Sequence, residues 1–361
     1  MSPLTFAYES ERRLRVAFLG TSGHAFRNFL PSLPYAPVEL VALWDPDVAR
    51  AEAFARQFGA PRWYSDLDRL LAETTPEAAL IGVEAFEGDE PRNATLMARC
   101  LEAGCHVWTD KPLAGTVATA RRLIAQRDRA NRLAAVGIKT MFYPAYQKVR
   151  QIAQEPAFGR VASVTIRYPL HVPTQPGLAG SDREVRSCLG HIWHPFGAAL
   201  LVAGPLRELH VQSAPIGGGG VALATFASGA AGAFHFASGQ AGTSPLERLE
   251  VVGEGANVVV ENAARLTYYR RGSPGPYGRT PSFLTESESA PLHWEPELSL
   301  GQLYNSNNFI QGYALSIIAF AQAALGGPPL QYGTLEDAVE VLKVFEALRE
   351  GTRGMAAFPA D

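Results

Sequence analysis

Cysteine is scarce in this chain. Cys100, Cys105 and Cys188 are the only three in 361 residues, and no two have the C-x-x-C spacing. That excludes a disulfide scaffold and implies a reducing compartment. Excess positive charge is also lacking: 32 Lys and Arg stand against 35 Asp and Glu, a formal net charge of −3. A nucleic-acid binder would carry a basic face, so none is expected as a partner. No apolar run is long enough to cross a bilayer. The longest, residues 313–325, contains Ser316 and Gln322 and reads as a buried helix, so no membrane partner is expected either. Residues 1–14 carry Glu9, Glu11, Arg12 and Arg13 without a long apolar core, so no signal peptide is expected and the protein is placed in the cytoplasm. There is no repeat and no low-complexity tail. What remains is an ordinary globular composition, 47% hydrophobic and 19% charged, in a length suited to two domains.

The first third alternates short apolar runs with helical patterns. Residues 14–19, 38–44, 61–64, 78–83, 106–109 and 133–138 read as strands, and 48–58, 66–73, 92–103 and 117–130 as helices. Such alternation builds βαβ units and a parallel sheet covered on both faces. After about residue 138 the pattern changes. Residues 160–168, 206–213, 221–226, 231–237, 247–252, 257–261 and 265–270 read as strands, with helices at 144–154, 191–202, 309–325 and 335–349. Strand following strand implies a mostly antiparallel open sheet with helices on one face. Residues 272–296, rich in Pro, Ser and Gly, read as a long loop. The expected fold is therefore α/β, with a parallel-sheet domain over 1–137 and a second α/β domain with a large, mostly antiparallel open sheet over 138–361.

Two segments carry chemistry. In the first, residues 14–19 run into Gly20-Thr21-Ser22-Gly23-His24-Ala25. A dinucleotide fingerprint needs glycine where the chain turns and where pyrophosphate meets backbone, with a small residue where helix meets strand. Gly20 fits the first need, Ser22 replaces the second glycine, and Ala25 is an accepted small substitute. A helix beginning near Gly23 would offer N–H groups to phosphate. Asp45 ends the second strand, where a carboxylate holds the adenine ribose and repels a 2′-phosphate, which favours NAD over NADP. Asp45 could equally serve as a cap for the next helix. The second segment, Val107-Trp108-Thr109-Asp110-Lys111-Pro112, delivers an amine at the carboxyl end of a strand. Ligands of parallel sheets bind in the crevice beyond those ends.

The stretch Cys100-Leu-Glu-Ala-Gly-Cys-His-Val-Trp-Thr-Asp-Lys-Pro-Leu-Ala114 resembles the "AxxAGKHVxxEKPLA" element of the Gfo/Idh/MocA oxidoreductases. The likeness extends to Val136-Gly137-Ile138 with Phe142-Tyr143-Pro144, to Gly159-Arg160-Val161, to the helix through His194 to Gly204-Pro205, and to Thr334 through Ala338. The resemblance implies an N-terminal Rossmann domain and a C-terminal domain whose open sheet joins copies into homodimers or homotetramers. It places the family's lysine on Lys111, its acidic neighbour on Asp110, its proline on Pro112 and its histidine on His194. The family's D-x-x-x-H carboxylate falls on Gly190, so it is missing here, and His191 stands beside the gap. The histidine that usually follows the fourth strand is also lost, with Asn93 nearest.

These residues suit hydride transfer between nicotinamide and a secondary alcohol or ketone of a sugar, polyol, cyclitol or sugar acid. Lys111 would hold the reacting oxygen and share its proton with His194, with His191 as a further acid or base. Gly20, Thr21, Ser22, Gly23, His24, Asp45, Glu84, Asp110, Lys111 and Pro112 are expected around the cofactor. Lys139, Tyr168, His171 and Trp193 are expected around the substrate, and residues 304–308 supply amides. His191 and His194, at i and i+3, could bind zinc with Cys188 or His171, but that set is loosely spaced and no metal is expected. Two alternatives share the fold: an enzyme that oxidises its substrate transiently without net redox, and a dinucleotide-binding sensor without turnover.

Overall fold

A computed structural model describes residues 9–173, 177–180, 182–214, 216–271, 291–296, 306–350 and 354–358. In chain order the first elements are β1 (Leu14–Leu19), β2 (Val38–Trp44), α1 (Val48–Phe58), β3 (Trp63–Tyr64), α2 (Leu67–Thr74), β4 (Ala78–Ile81) and a small hairpin of β5 (Phe86–Glu87) and β6 (Glu90–Pro91). Then come α3 (Arg92–Glu102), β7 (His106–Asp110), α4 (Val117–Ala130), β8 (Ala134–Gly137), α5 (Pro144–Ala153), β9 (Ser163–Tyr168), α6 (Arg183–His191) and α7 (Trp193–Ala203). The rest are β10 (Leu206–Ser213), β11 (Gly220–Phe226), β12 (Ala231–Phe236), β13 (Arg248–Val252), β14 (Asn257–Glu261), β15 (Arg265–Tyr269), β16 (Leu292–Trp294), α8 (Ser306–Ile310), α9 (Tyr313–Ala324), α10 (Leu335–Arg349) and β17 (Gly354–Ala357).

The chain divides into two compact units. The first gathers Met1–Phe142, Ala179–Trp193 and Gly312–Glu346, and the second holds the remainder. The first unit is therefore not a single stretch, because α6, α9 and most of α10 return to it. Its sheet runs β3-β2-β1-β4-β7-β8 with every pair parallel. Strand order reverses between β1 and β4, which creates a crevice at their carboxyl ends. β4 is apolar and buried along its whole length, as a sheet covered on both faces requires. α1 and α4 begin where the sequence provides caps. Asp47 accepts from Ala49 and Arg50 N–H at the start of α1, Gly59 closes it in the left-handed region, and Thr116 caps α4.

The second unit is built on a nine-stranded sheet, ordered β16-β15-β14-β13-β9-β12-β11-β10-β17. Only β9 and β12 pair in parallel. Residues of β11 alternate strictly between buried and exposed, the signature of a sheet with one covered face.

Three expectations about helices are corrected. No regular α-helix follows the first loop: Ala25–Phe29 is a π-helical turn and Leu30–Tyr35 a 3₁₀ segment. Pro31 and Pro34 remove the amide donors that a continuous α-helix would need there. The helix expected over 191–202 is two helices that break at Ile192, since Pro195 cannot donate to the His191 carbonyl. His191 and His194 therefore share no helix face. The expected 309–325 helix is likewise split, by Gly312 at φ 69°. Of the expected 272–296 loop, 272–290 lie outside the described residues, and 291–296 include β16. Tyr304 and Asn305 also lie outside them.

Candidate active site

The loop after β1 is tied down on both sides. Gly20 has φ 110°, and a Cβ there would lie 2.8 Å from the Gly82 carbonyl oxygen and from Val83 Cγ2, so only glycine fits the turn. Gly20 N–H donates to Trp44 O at 2.8 Å, and Gly82 N–H to Leu19 O at 2.9 Å. Ser22 does more than replace a glycine: its hydroxyl donates to Gly82 O and accepts from Ala25 N–H, both at 3.0 Å. Asp45 binds the same loop. Its Oδ2 accepts from Thr21 N–H at 3.0 Å and Thr21 Oγ1 at 2.5 Å, and its Oδ1 accepts from Asp47 N–H at 3.0 Å. Arg50 donates to the Thr21 carbonyl at 2.5 Å. A carboxylate has about four acceptor sites, so capacity remains on Oδ1 for a sugar hydroxyl. Asp45 is thus a brace first. It does not cap α1, which is the work of Asp47.

At the far side of the crevice β7 ends in buried Asp110 and half-buried Lys111, and the Lys111–Pro112 peptide is cis. Asn93 secures this corner, donating from Nδ2 to Asp110 O and Pro112 O at 3.1 Å each. Sequence reasoning reached Asn93 only as the place of a lost histidine; its bracing role needs a long-range contact that no local pattern encodes.

His24 stands over Asp110. Asn28 Nδ2 donates to His24 Nδ1 at 3.1 Å, which leaves the ring proton on Nε2. That Nε2 is buried without a hydrogen-bond partner, 3.9 Å from Asp110 Oδ2. Burial, and then the charges of Lys111, Lys139 and Arg27, pull the imidazole down to about 4. Burial pushes the Asp110 carboxyl up to about 6, against the pull of Lys111 and Lys139, and Glu84 adds to the rise. The result is a neutral imidazole beside a weakened acid. Lys139 donates to Tyr313 Oη at 3.1 Å. His191 is exposed on α6 and donates from Nδ1 to Ser187 O at 2.8 Å. Desolvation of its ring lowers its pKa, and the charges of Lys111 and Lys139 lower it further. The first unit therefore brings His24, Asp110, Lys111, Lys139 and His191 into one electrostatic neighbourhood.

Trp193 is corrected. It is 0% exposed and its indole N–H donates to Leu189 O at 2.6 Å, so it is a core residue without a face for substrate. Gly190, in the missing-carboxylate position, has open space where a Cβ would stand. In the second unit, buried His194 stacks on Tyr168 with centroids 5.2 Å apart and planes at 28°. His171 packs its ring on Gly218, where any Cβ would collide with it. Among the described residues no group of three or more His, Cys, Asp or Glu is arranged for a metal. Burial raises the Cys188 thiol to about 12, so it is held as an inert thiol.

The bare Gly20 turn, the unfilled donor on His24 and the spare acceptor on Asp45 fit a dinucleotide. The class defined is a Rossmann nucleotide-binding unit joined to a large open-sheet unit. Residues 14–138 match the Gfo/Idh/MocA family model, described as an oxidoreductase family with an NAD-binding Rossmann fold, so this segment is an NAD-binding Rossmann unit of that type. Trans-1,2-dihydrobenzene-1,2-diol dehydrogenase of Mus musculus is 27% identical over 164 residues, 45% of this chain and 48% of that protein. The matched segment thus spans about half the length of that curated relative. A dehydrogenase from Chromobacterium violaceum shares the fold with a TM-score of 0.76 at 18% identity, over 93% of this chain and 94% of that one. GenD2 of gentamicin A biosynthesis, solved with NAD, shares it with a TM-score of 0.70 at 23% identity over 97% of both chains. No described helix is long and apolar enough to cross a membrane.

Proposed function

We propose that this protein is an NAD-dependent dehydrogenase acting on a secondary alcohol or ketone of a sugar, polyol, cyclitol or sugar acid. The observation that carries this reading is Lys111, an amine placed directly after β7 at the carboxyl edge of an NAD-binding sheet. NAD, when bound, supplies the hydride acceptor. Gly20 through His24 would hold its phosphates, Asp45 would hold its ribose, and Glu84, Asp110 and Pro112 would serve its nicotinamide end. Asp45 favours NAD over NADP by repelling a 2′-phosphate.

Lys111 holds the reacting oxygen. As an ammonium it polarises a carbonyl, and as an amine it takes the hydroxyl proton. His194 shares that proton, and its ring is oriented by the stack on Tyr168. His191 fills the place left by Gly190. Lys139, Tyr168 and His171 contact substrate. Residues 1–137 serve the cofactor, and 138–361 serve substrate and assembly.

The exposed face of the nine-stranded sheet presents Val221 at 53% and Leu223 at 66%, two apolar side chains beside His210, Gln212 and His235, and this face is the one assigned to a second copy in a homodimer or homotetramer. The working compartment is the cytoplasm. The test is a screen of polyols, sugars and sugar acids with NAD, followed by nicotinamide absorbance. Lys111→Ala is expected to lose turnover by roughly 10²–10⁴ while NADH affinity, read by fluorescence titration, stays within a few-fold. Unchanged turnover removes Lys111 from the mechanism.

A further inference from the structure

Hydride transfer needs one ammonium group at the reacting oxygen, and the first unit holds a second one. Lys139 comes two residues after the end of β8, and Lys111 directly follows β7. The two strands are adjacent and parallel, with Asp110 opposite Gly137. Both amines therefore emerge at the carboxyl edge of the sheet. Their fields overlap: each disfavours protonation of His24 and of His191, and each favours the ionised form of Asp110.

Lys139 is oriented in part by Tyr313. Its Nζ donates to Tyr313 Oη at 3.1 Å and stands 5.0 Å from the centre of the ring. That ring is fixed in turn, edge-on to His24 at 5.4 Å and to Phe29 at 5.6 Å. Gly312, just before it, sits at φ 69°, where a Cβ would lie 2.5 Å from the Lys139 carbonyl oxygen. The start of α9 is thereby pressed onto the Lys139 backbone. Among the described residues, buried Asp110 and exposed Glu84 contribute negative charge here, and Arg27 adds a further cation toward His24. Oxidising a neutral alcohol creates a carbonyl and leaves the proton on a base, and nothing in that chemistry uses a second fixed cation. A substrate that carries an anionic group does use one, through a charge-assisted hydrogen bond.

We propose that Lys139, oriented by Tyr313, recognises a carboxylate on the substrate, so that the substrate class is a polyhydroxy acid rather than a neutral sugar or polyol. This deepens the dehydrogenase reading and rests on it. The alcohol carbon is presented to Lys111 while the carboxylate accepts from Lys139 Nζ. Tyr313 is a positioning residue, and its contribution falls on KM.

The test compares C6 aldonates (gluconate, galactonate, mannonate) with alditols of matching stereochemistry (sorbitol, galactitol, mannitol). Calorimetric binding of gluconate to the NAD-loaded protein serves as a second readout. The wild type is expected to favour aldonates at least tenfold in kcat/KM. Lys139→Met is expected to raise KM for aldonates roughly 10–100-fold, the loss of one charged hydrogen bond, and to raise it by a clearly smaller factor for alditols. Lys139→Arg should retain the preference, which separates loss of charge from misfolding. Tyr313→Phe should raise KM in the same direction, less steeply, with kcat held. Equal use of alditols and aldonates, or unchanged gluconate binding in Lys139→Met, overturns the carboxylate assignment and leaves the dehydrogenase reading intact. Gluconate binding that depends on Lys139, with no NAD reduction on any acid or alcohol, overturns the dehydrogenase reading instead.

Discussion

Asp110→Asn should make the protein more stable and less active, and the size of the gain depends on pH. The carboxyl is buried beside Lys111, and its pKa rises from 3.8 to about 6. That rise is net of the attraction to Lys111 and Lys139, so it measures what the ionised form costs the fold. It corresponds to roughly 3 kcal/mol. The sign follows from linkage. The folded state holds this proton more tightly than the unfolded one, so the cost is absent below pH 3.8, grows as pH rises and is complete above about pH 6. Asparagine keeps the shape and can still accept from the Lys111 N–H, but it carries no charge. Urea unfolding of the two proteins should therefore differ by about 3 kcal/mol at pH 8, with the variant more stable, and by about half of that at pH 5. Turnover should fall, because an acid kept at a stability cost beside Lys111 is the kind of residue that trades stability for function. A variant less stable than wild type at pH 8, or a difference that does not change with pH, would refute the reasoning.

Three further outcomes follow from the geometry. Gly20→Ala places a Cβ 2.8 Å from the Gly82 carbonyl; a loss of about 2 kcal/mol or more in unfolding free energy, with weaker NADH binding, is expected by denaturation and fluorescence titration. Gly190→Ala meets open space within α6 and should raise stability by about 0.5–1 kcal/mol, read as a higher urea midpoint. Leu223→Glu puts a charge on the exposed apolar face of β11 and should shift the assembly toward monomer in sedimentation velocity while leaving the circular dichroism spectrum unchanged.

Much of the scaffold was legible because its signals are local. The limits of β1, β2, α1 and α4 follow from apolar runs bounded by a capping Asp or Thr and a left-handed Gly or Asn. What escaped was set by contacts distant in sequence or by competing backbone chemistry. The helix expected after the first loop gave way to π and 3₁₀ turns because its prolines remove donors. Trp193, beside a candidate histidine, looked like a ligand platform and proved to be core. The brace from Asn93 to the Lys111–Pro112 corner and the reach of Tyr313 to Lys139 span 17 to 174 residues of chain, beyond any periodic pattern.

The same contrast separates the scaffold from the crevice. Along the parallel sheet, local preference and tertiary packing agree: β4 is apolar and buried throughout, and the stretches that pair with it, Val16–Leu19 of β1 and Val107–Trp108 of β7, are apolar and buried too. At their carboxyl ends the agreement stops. A histidine is kept neutral with a buried Nε2 that lacks a partner, and 3.9 Å away an acid is held against ionisation by that same burial. Their pH dependences also oppose each other. Acidification from pH 6.5 toward 4 weakens the fold through His24, which resists the proton that the unfolded chain accepts, and over much of that span it relieves the fold of the charge on Asp110. The two costs offset each other, so the pair can be retained with little net sensitivity to acid. A core selected only for stability would have replaced both side chains with apolar ones. Their persistence where Lys111 and Lys139 also emerge is the physical reason for placing the chemistry at this edge of the sheet.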